Sequence, residues 1–176
     1  MNILVTGSSG QLGAAVVQEL TRRDHKVIGI DIVPGICTSQ LISVADRSAL
    51  FPLVKGVEAI IHIASLHQPH LANFSRQAFI DINITGTLNL LEAAVEAQVR
   101  RFVYTSTTSL YGWALVPVEQ AVWVTEDLAP CPRDIYDISK IAAEELCRTI
   151  ASSAKMPIIC LRVARFFAEA PELQAI

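Results

Sequence analysis

Short apolar runs along the chain alternate with longer stretches in which apolar residues recur every three or four positions. Five runs read as strands: Asn2 to Thr6 (NILVT), Lys26 to Asp31 (KVIGID), Ala59 to Ala64 (AIIHIA), Arg101 to Thr105 (RFVYT) and Pro157 to Arg162 (PIICLR). They are apolar on both alternating faces, the pattern of strands covered by helices on both sides. A weaker run, Gln40 to Val44, is a candidate sixth strand. Helical spacing appears in Gln11 to Arg23 (Leu12, Ala15, Val16, Leu20), in Ile82 to Ala97 (Leu88, Leu91, Ala94, Val95) and in Ile138 to Ser152 (Ile141, Ala142, Leu146, Ile150). Such alternation predicts the α/β class: a doubly wound, mostly parallel sheet of Rossmann type with right-handed crossovers, forming one domain over residues 1–176. The longest irregular region, Tyr111 to Ile135, carries Pro117, Pro130 and Pro132. Loops of that length in a compact domain usually line a site.

The first apolar run enters Gly7-Ser8-Ser9-Gly10-Gln11-Leu12-Gly13, and a helical pattern follows at once. Gly7 permits a tight turn, Gly10 lets backbone approach a pyrophosphate, and Gly13 lets helix and strand pack closely, with the helix N-terminus facing the phosphate charge. A glycine triplet alone also fits a structural turn. Here a strand precedes it, a helix follows, and Asp31 ends the second strand 18 residues past Gly13. A carboxylate there accepts hydrogen bonds from ribose hydroxyls and repels an additional 2′-phosphate, so NAD is expected rather than NADP. Arg22 and Arg23 are expected to face solvent and not to clamp a 2′-phosphate.

A second motif, Tyr136-Asp137-Ile138-Ser139-Lys140, opens the last helical stretch. The i, i+4 spacing places the phenol and the ammonium on one helix face. A nearby ammonium, together with a positive nicotinamide ring, is expected to lower the tyrosine pKa toward neutrality, fitting it for proton exchange. Tyr-x-x-x-Lys also fits an ordinary amphipathic helix and gains meaning only beside the glycine loop. RFVYTSTTSLYG then leaves a strand into five consecutive hydroxyl residues, Thr105 to Ser109. One of these can orient a substrate hydroxyl or carbonyl beside the tyrosine, while others satisfy loop backbone groups.

Together with His62-Ile63-Ala64-Ser65 and Asn83-Ile84-Thr85-Gly86-Thr87-Leu88-Asn89-Leu90-Leu91, these motifs resemble the extended short-chain dehydrogenase/reductase superfamily, in its NAD-dependent epimerase/dehydratase branch. The resemblance runs from Asn2 to about Phe167. It implies an oxidoreductase that moves a hydride between NAD and a secondary alcohol, with nucleotide sugars as the substrate class. Tyr136 would be the acid/base, Thr107 its hydroxyl partner with Ser106 as the alternative, and Lys140 would hold the nicotinamide ribose. The cofactor would be lined by Gly7, Ser9, Gly10, Gln11, Leu12, Gly13, Asp31, Ile32, Ile63, Ala64, Ser65, Thr105, Tyr136 and Lys140. Asp46, with Arg47 beside it, would contact adenine, and Asn83 would brace the active-site helix or a water. Glu126, Pro130 and Pro132 resemble the substrate-side loop. Helices around Asn83 to Ala97 and Ile138 to Ser152 resemble the pair that forms a four-helix homodimer interface.

Two features depart from the family pattern. After Leu161-Arg162 the chain reads Val163-Ala164-Arg165-Phe166-Phe167 where an Asn-containing segment is common. Arg165 fits either an anionic substrate contact or a solvated cap. The chain stops at Ile176, so the smaller carboxy-terminal substrate domain is expected to be truncated or supplied by a partner. A binding module that holds NAD and dimerises with little turnover, and a carbonyl reductase acting on a small hydrophobic substrate, are therefore alternatives.

Composition narrows the setting without changing the chemistry. A hydrophobic fraction of 52% fits a packed interior, and a net charge of −3 gives no pull toward nucleic acid or membrane surface. Arg22-Arg23 and Arg100-Arg101 read as surface charges. Cys37, Cys131, Cys147 and Cys160 lack metal-ligand spacing and are expected to be reduced thiols of a cytoplasmic protein. The chain begins directly with a strand, and no segment resembles a leader or a membrane span. His67 and His70 flank Pro69 without a Cys or carboxylate partner, so no metal site is expected. His62 reads as a packed core residue, and Trp113 and Trp123 as packing for the long loop.

Overall fold

The structure, a computed structural model, describes residues 1–117 and 120–164. Among the described residues six strands form one sheet: β1 (Asn2–Thr6), β2 (Lys26–Asp31), β3 (Gln40–Leu41), β4 (Ala59–His62), β5 (Arg101–Thr107) and β6 (Ile158–Val163). Their order is β3-β2-β1-β4-β5-β6, and every described pairing is parallel. The order reverses between β1 and β4, the switch point outside which a doubly wound sheet binds ligands.

Alternation along β1 shows how the sheet divides its two faces. Ile3 and Val5 point toward α1 (Gln11–Arg22), meeting Val17 with Val16 and Leu20 alongside. Leu4 points the other way, into the larger core with Ile30, Ile60, Phe102 and Tyr104. That core is closed by α2 (Arg47–Leu53), α4 (Gly86–Glu96) and α5 (Ile135–Ala154), through Leu50, Leu90, Leu91, Ala94, Ala143 and Cys147. A third cluster at the strands' carboxyl ends packs Leu66, Phe79 and Tyr136 together.

The elements differ from the sequence pattern in specific ways. The sixth strand shrinks to Gln40–Leu41, both exposed, at the sheet edge beside β2. α2 has no strong helical periodicity in seven residues and contains Pro52; Asp46 starts it by accepting from the Ala49 N–H. The segment expected as one helix from Ile82 begins at α3 (Arg76–Phe79), passes a π-helical turn (Ile80–Thr85) and continues as α4. Asn89 and Leu90 face the core, while Val95 is exposed. α5 starts three residues before Ile138, where Asp134 accepts from the Asp137 N–H. Within the long loop, Thr108–Leu115 forms 3-10 turns with a break at Gly112. Trp113 and Trp123 are 62% and 88% exposed, contrary to the packing role expected of them. Arg165, Phe166 and Phe167 lie outside the described residues.

Candidate active site

The glycine loop is squeezed between three elements. Gly7 turns at φ +73°, and both its N–H and that of Ser8 donate to the Ile30 carbonyl, at 2.9 and 3.2 Å. A Cβ on Gly13 would lie 2.0 Å from the Gly7 oxygen, so the helix can approach the loop only without a side chain there. The first intrahelical bond runs from Ala14 N to Gly10 O (2.8 Å), which leaves the N–H groups of Gln11, Leu12 and Gly13 at the positive end of α1. Beside them stands Asp31, whose Oδ2 accepts from Ser9 N (3.0 Å) and whose Oδ1 accepts from Ile32 N (2.7 Å). Ser9 Oγ donates to the Val33 carbonyl at 2.7 Å, folding the exposed loop after β2 across the glycines. Thr6 Oγ1 accepts from Ile63 N and Ala64 N, fixing the backbone that leaves β4 toward Ser65. Amide donors with no partner among the described residues, next to a carboxylate acceptor, suit a ligand that carries both phosphates and ribose hydroxyls, so these residues fit a dinucleotide. Arg22 and Arg23 both pair with Glu19, away from this seat.

The second half of the site is the first turn of α5. Lys140 is 3% exposed; its Nζ donates to the Thr105 carbonyl (2.9 Å) and lies 4.8 Å over the Tyr104 ring. Burial lowers its pKa to about 7. Tyr136 is buried against Leu66 and Phe79. Burial pushes the phenol above its ordinary pKa, with Asp137 and Asp134 adding in the same direction; the Thr107 hydroxyl acts the opposite way by favouring the phenolate. The protein's own groups therefore raise the phenol, and the expected downward shift is left to the positive nicotinamide ring. The reason is that desolvation dominates, and the Lys140 ammonium is committed to Thr105 and Tyr104. Thr107 Oγ1 accepts from Ser109 N at 3.0 Å. Ser106 falls on the opposite face of β5, buried, and its Oγ has no partner among the described residues.

The remaining expected residues divide between support and surface. Asn83 sits in the π turn, where it exchanges hydrogen bonds with the Leu66 backbone and donates to Ser139 Oγ (2.8 Å), so it braces α5. A widened turn of this kind often marks a functional position. Asp46 caps α2, and Arg47 pairs with Glu92 and stacks on Phe51, so both side chains are engaged within their own helical layer. The Glu126 carbonyl accepts from Arg162 (3.4 Å), and Cys131 pairs through its backbone with Tyr111 and Trp113, which ties the loop of Pro130 and Pro132 to the end of β5. His62 is in the core as expected, 1% exposed between Thr6 and Thr87.

Two groups escaped the sequence reading. Glu144, one turn past Lys140, holds Arg162 at 2.8 and 3.1 Å, and Arg162 donates to the Tyr111 hydroxyl at 2.9 Å. The buried Asp137, the half-buried Ser109 and the exposed Arg133 form a hydrogen-bonded ring one residue past Tyr136. The Asp137 charge within the tyrosine motif was visible in the sequence; its partners, distant along the chain, were not.

The fold and motif geometry agree with a family model described as the NAD dependent epimerase/dehydratase family, which matches residues 3–174. The chain belongs to this family. Among relatives, it is 29% identical to the uncharacterized UDP-glucose epimerase YtcB of Bacillus subtilis, over 92% of this chain and 55% of that protein. It is 34% identical to a human sterol-4-alpha-carboxylate 3-dehydrogenase (decarboxylating), over 80% of this chain and 37% of that one. The chain thus spans about half the length, or less, of these relatives. Among solved structures, a short-chain dehydrogenase/reductase superfamily protein from Agrobacterium tumefaciens with bound NAD superposes with a TM-score of 0.81 at 36% identity, covering 92% of this chain and 48% of that one. A UDP-glucose 4-epimerase from Thermotoga maritima with UDP-glucose gives 0.82 at 26% identity, covering 92% and 55%.

Proposed function

We propose that this member of the epimerase/dehydratase family is the cofactor-binding and catalytic part of an NAD-dependent oxidoreductase acting on a secondary alcohol, with a nucleotide sugar as the substrate class. The observation that carries the reading is that Lys140, its Nζ 2.9 Å from the Thr105 carbonyl, and Tyr136 one turn before it lie with Thr107 at the carboxyl end of β5, the end of the sheet at which the glycine loop also opens. NAD, when bound, supplies the hydride acceptor. The amides of Gln11, Leu12 and Gly13 would take its phosphates, Asp31 would accept from its adenosine ribose, and Lys140 would hold its nicotinamide ribose. Tyr136 receives the alcohol proton, and Thr107 orients the reacting oxygen and stabilises the phenolate. Burial keeps the phenol protonated until cationic neighbours offset the desolvation cost.

The test is Tyr136→Phe in the full-length protein, assayed by NADH absorbance or by product analysis with UDP-glucose, UDP-glucuronic acid and dTDP-glucose. Loss of turnover with NAD affinity retained supports the assignment; unchanged turnover rejects Tyr136 as acid/base. A second reading, a dehydrogenase or reductase for an apolar alcohol, draws on the exposed Trp113, Val116, Trp123 and Val124 in the segment between β5 and α5 and on the sterol-dehydrogenase relative. It is favoured if steroid or small hydrophobic alcohols reduce NAD and the nucleotide sugars do not. Assembly as a homodimer through α4 and α5 is part of the first reading, supported by the exposed Val95 and the groove it shares with Ile150 and Ala154.

A further inference from the structure

We propose that Thr38, acting through Ser9, is a positioning residue that holds the Asp31 carboxylate in its cofactor-selecting place and so sets the preference for NAD over NADP; this rests on the reading of Asp31 given above. Three hydroxyls form a chain from the buried Ser8 to the exposed loop after β2. Ser8 Oγ lies 2.7 Å from Thr38 Oγ1, Thr38 Oγ1 lies 2.6 Å from Ser9 Oγ, and Ser9 Oγ donates to the Val33 carbonyl at 2.7 Å. That last bond fixes the direction of the others. A carbonyl only accepts, so the Ser9 hydroxyl proton is committed to Val33, and Ser9 Oγ accepts from Thr38. The Thr38 proton is then committed in turn, and Thr38 accepts from Ser8.

The chain ends in a ring around Asp31. Ser9 N donates to Oδ2 at 3.0 Å, while Oδ1 accepts from Ile32 N at 2.7 Å and from Val33 N at 3.3 Å. Ser9 and Val33 thus each hold one carboxylate oxygen, and the Ser9 hydroxyl joins them to each other. Two donors fill the lone-pair directions of Oδ1, so Oδ2 is the oxygen with capacity left for a ribose hydroxyl.

Thr38 is well anchored for this task. On one side Ser39 N donates to the Gly29 carbonyl of β2 at 2.8 Å. On the other, Cys37 packs against the cluster of Ile3, Val5 and Val17, with its Sγ 3.7 Å from the Ala14 carbonyl. Residues 32–36, between Asp31 and this anchor, are all exposed, so hydrogen bonds rather than packing hold them in place. The Asp31 charge is present with or without Thr38; what Thr38 supplies is placement. A carboxylate held in place accepts from the 2′-hydroxyl of NAD and repels the 2′-phosphate of NADP, and one free to turn away does both less well.

The experiment is calorimetric titration of the full-length protein with NAD and with NADP. Thr38→Val keeps the shape of the side chain and removes the hydroxyl. NAD affinity is expected to fall roughly three- to tenfold, the range for one lost hydrogen bond, and NADP affinity by less, so that the preference narrows. Thr38→Ser keeps the hydroxyl and should restore the preference. Ser9→Ala should narrow it as Thr38→Val does, and the double variant no further than either alone, because both break one chain.

A purely structural role for Thr38 would weaken both cofactors equally; that result, or affinities unmoved by Thr38→Val, overturns the proposal and leaves the reading of Asp31 intact. A preference unmoved by Asp31→Ser removes that reading, and the proposal with it. If Thr38→Val fails to fold, Ser9→Ala carries the same test, since its backbone N–H still reaches Asp31 while the link to Val33 is lost.

Discussion

His62 offers a sharp test of how the interior is wired. Thr87 Oγ1 donates to the Asn83 carbonyl at 2.6 Å, so toward His62 Nε2, 3.0 Å away, it can only accept. Nε2 therefore carries the ring proton, and Nδ1 accepts from the Thr6 hydroxyl at 2.7 Å. Both ring nitrogens are used by the neutral imidazole, and burial pushes its pKa down from 6.5 to about 3, with the Lys140 charge adding to the effect. The folded pKa lies below the unfolded one, so the unfolded chain takes up the proton first. The contribution of His62 is intact above the unfolded value and is lost as pH falls toward the folded value. Those two values give a loss of about 2 kcal/mol between pH 7 and pH 5, rising to about 4 kcal/mol at pH 3 and toward about 5 kcal/mol below it. Other carboxylates also titrate in this range, so the comparison is with His62→Gln, whose amide can donate to Thr87 and accept from Thr6 without titrating. In urea unfolding at the two pH values, the wild type should lose about 2 kcal/mol more than the variant. Equal losses would show that the imidazole takes up its proton in the folded state, and the derived tautomer and burial would both be wrong.

Further outcomes follow from other contacts. Gly13→Ala forces a Cβ to within 2.0 Å of the Gly7 oxygen, so α1 must back away: about 1–3 kcal/mol of stability and roughly tenfold or more in NAD affinity should be lost, measured by thermal unfolding and calorimetry. NAD should bind more tightly than NADP, and Asp31→Ser should narrow that preference; tighter NADP binding by the wild type would refute the role given to the Asp31 carboxylate. Val95→Glu places a charge on the exposed face shared by α4 and α5 and should shift sedimentation toward monomer, whereas an unchanged sedimentation coefficient rejects that face as the dimer contact.

Much of this site was legible because it is built from local pattern. Strand, glycine turn and helix are contiguous from Asn2 to Arg22, and an i, i+4 pair on one helix is fixed by helical pitch alone. For the same reason the order of strands and helices, and thus a doubly wound parallel sheet, followed from periodicity. The edge strand and α2 did not, since two residues at a sheet edge and a seven-residue helix with an internal proline carry too few positions to display a period.

The sequence by itself determined which residue types stand at the ends of which elements: the glycines after β1, the carboxylate after β2, the hydroxyls after β5, the tyrosine and lysine on α5. Tertiary structure alone decided their state. Desolvation is a property of what surrounds a group, so only the packed core could lower Lys140 and raise Tyr136. Hydrogen bonds across long separations are likewise invisible to a local pattern. The bonds from Thr6 to His62, from Asn83 to Ser139 and from Ser109 to Asp137 span 56, 56 and 28 positions, and each exists only because the sheet and its helices bring those segments together.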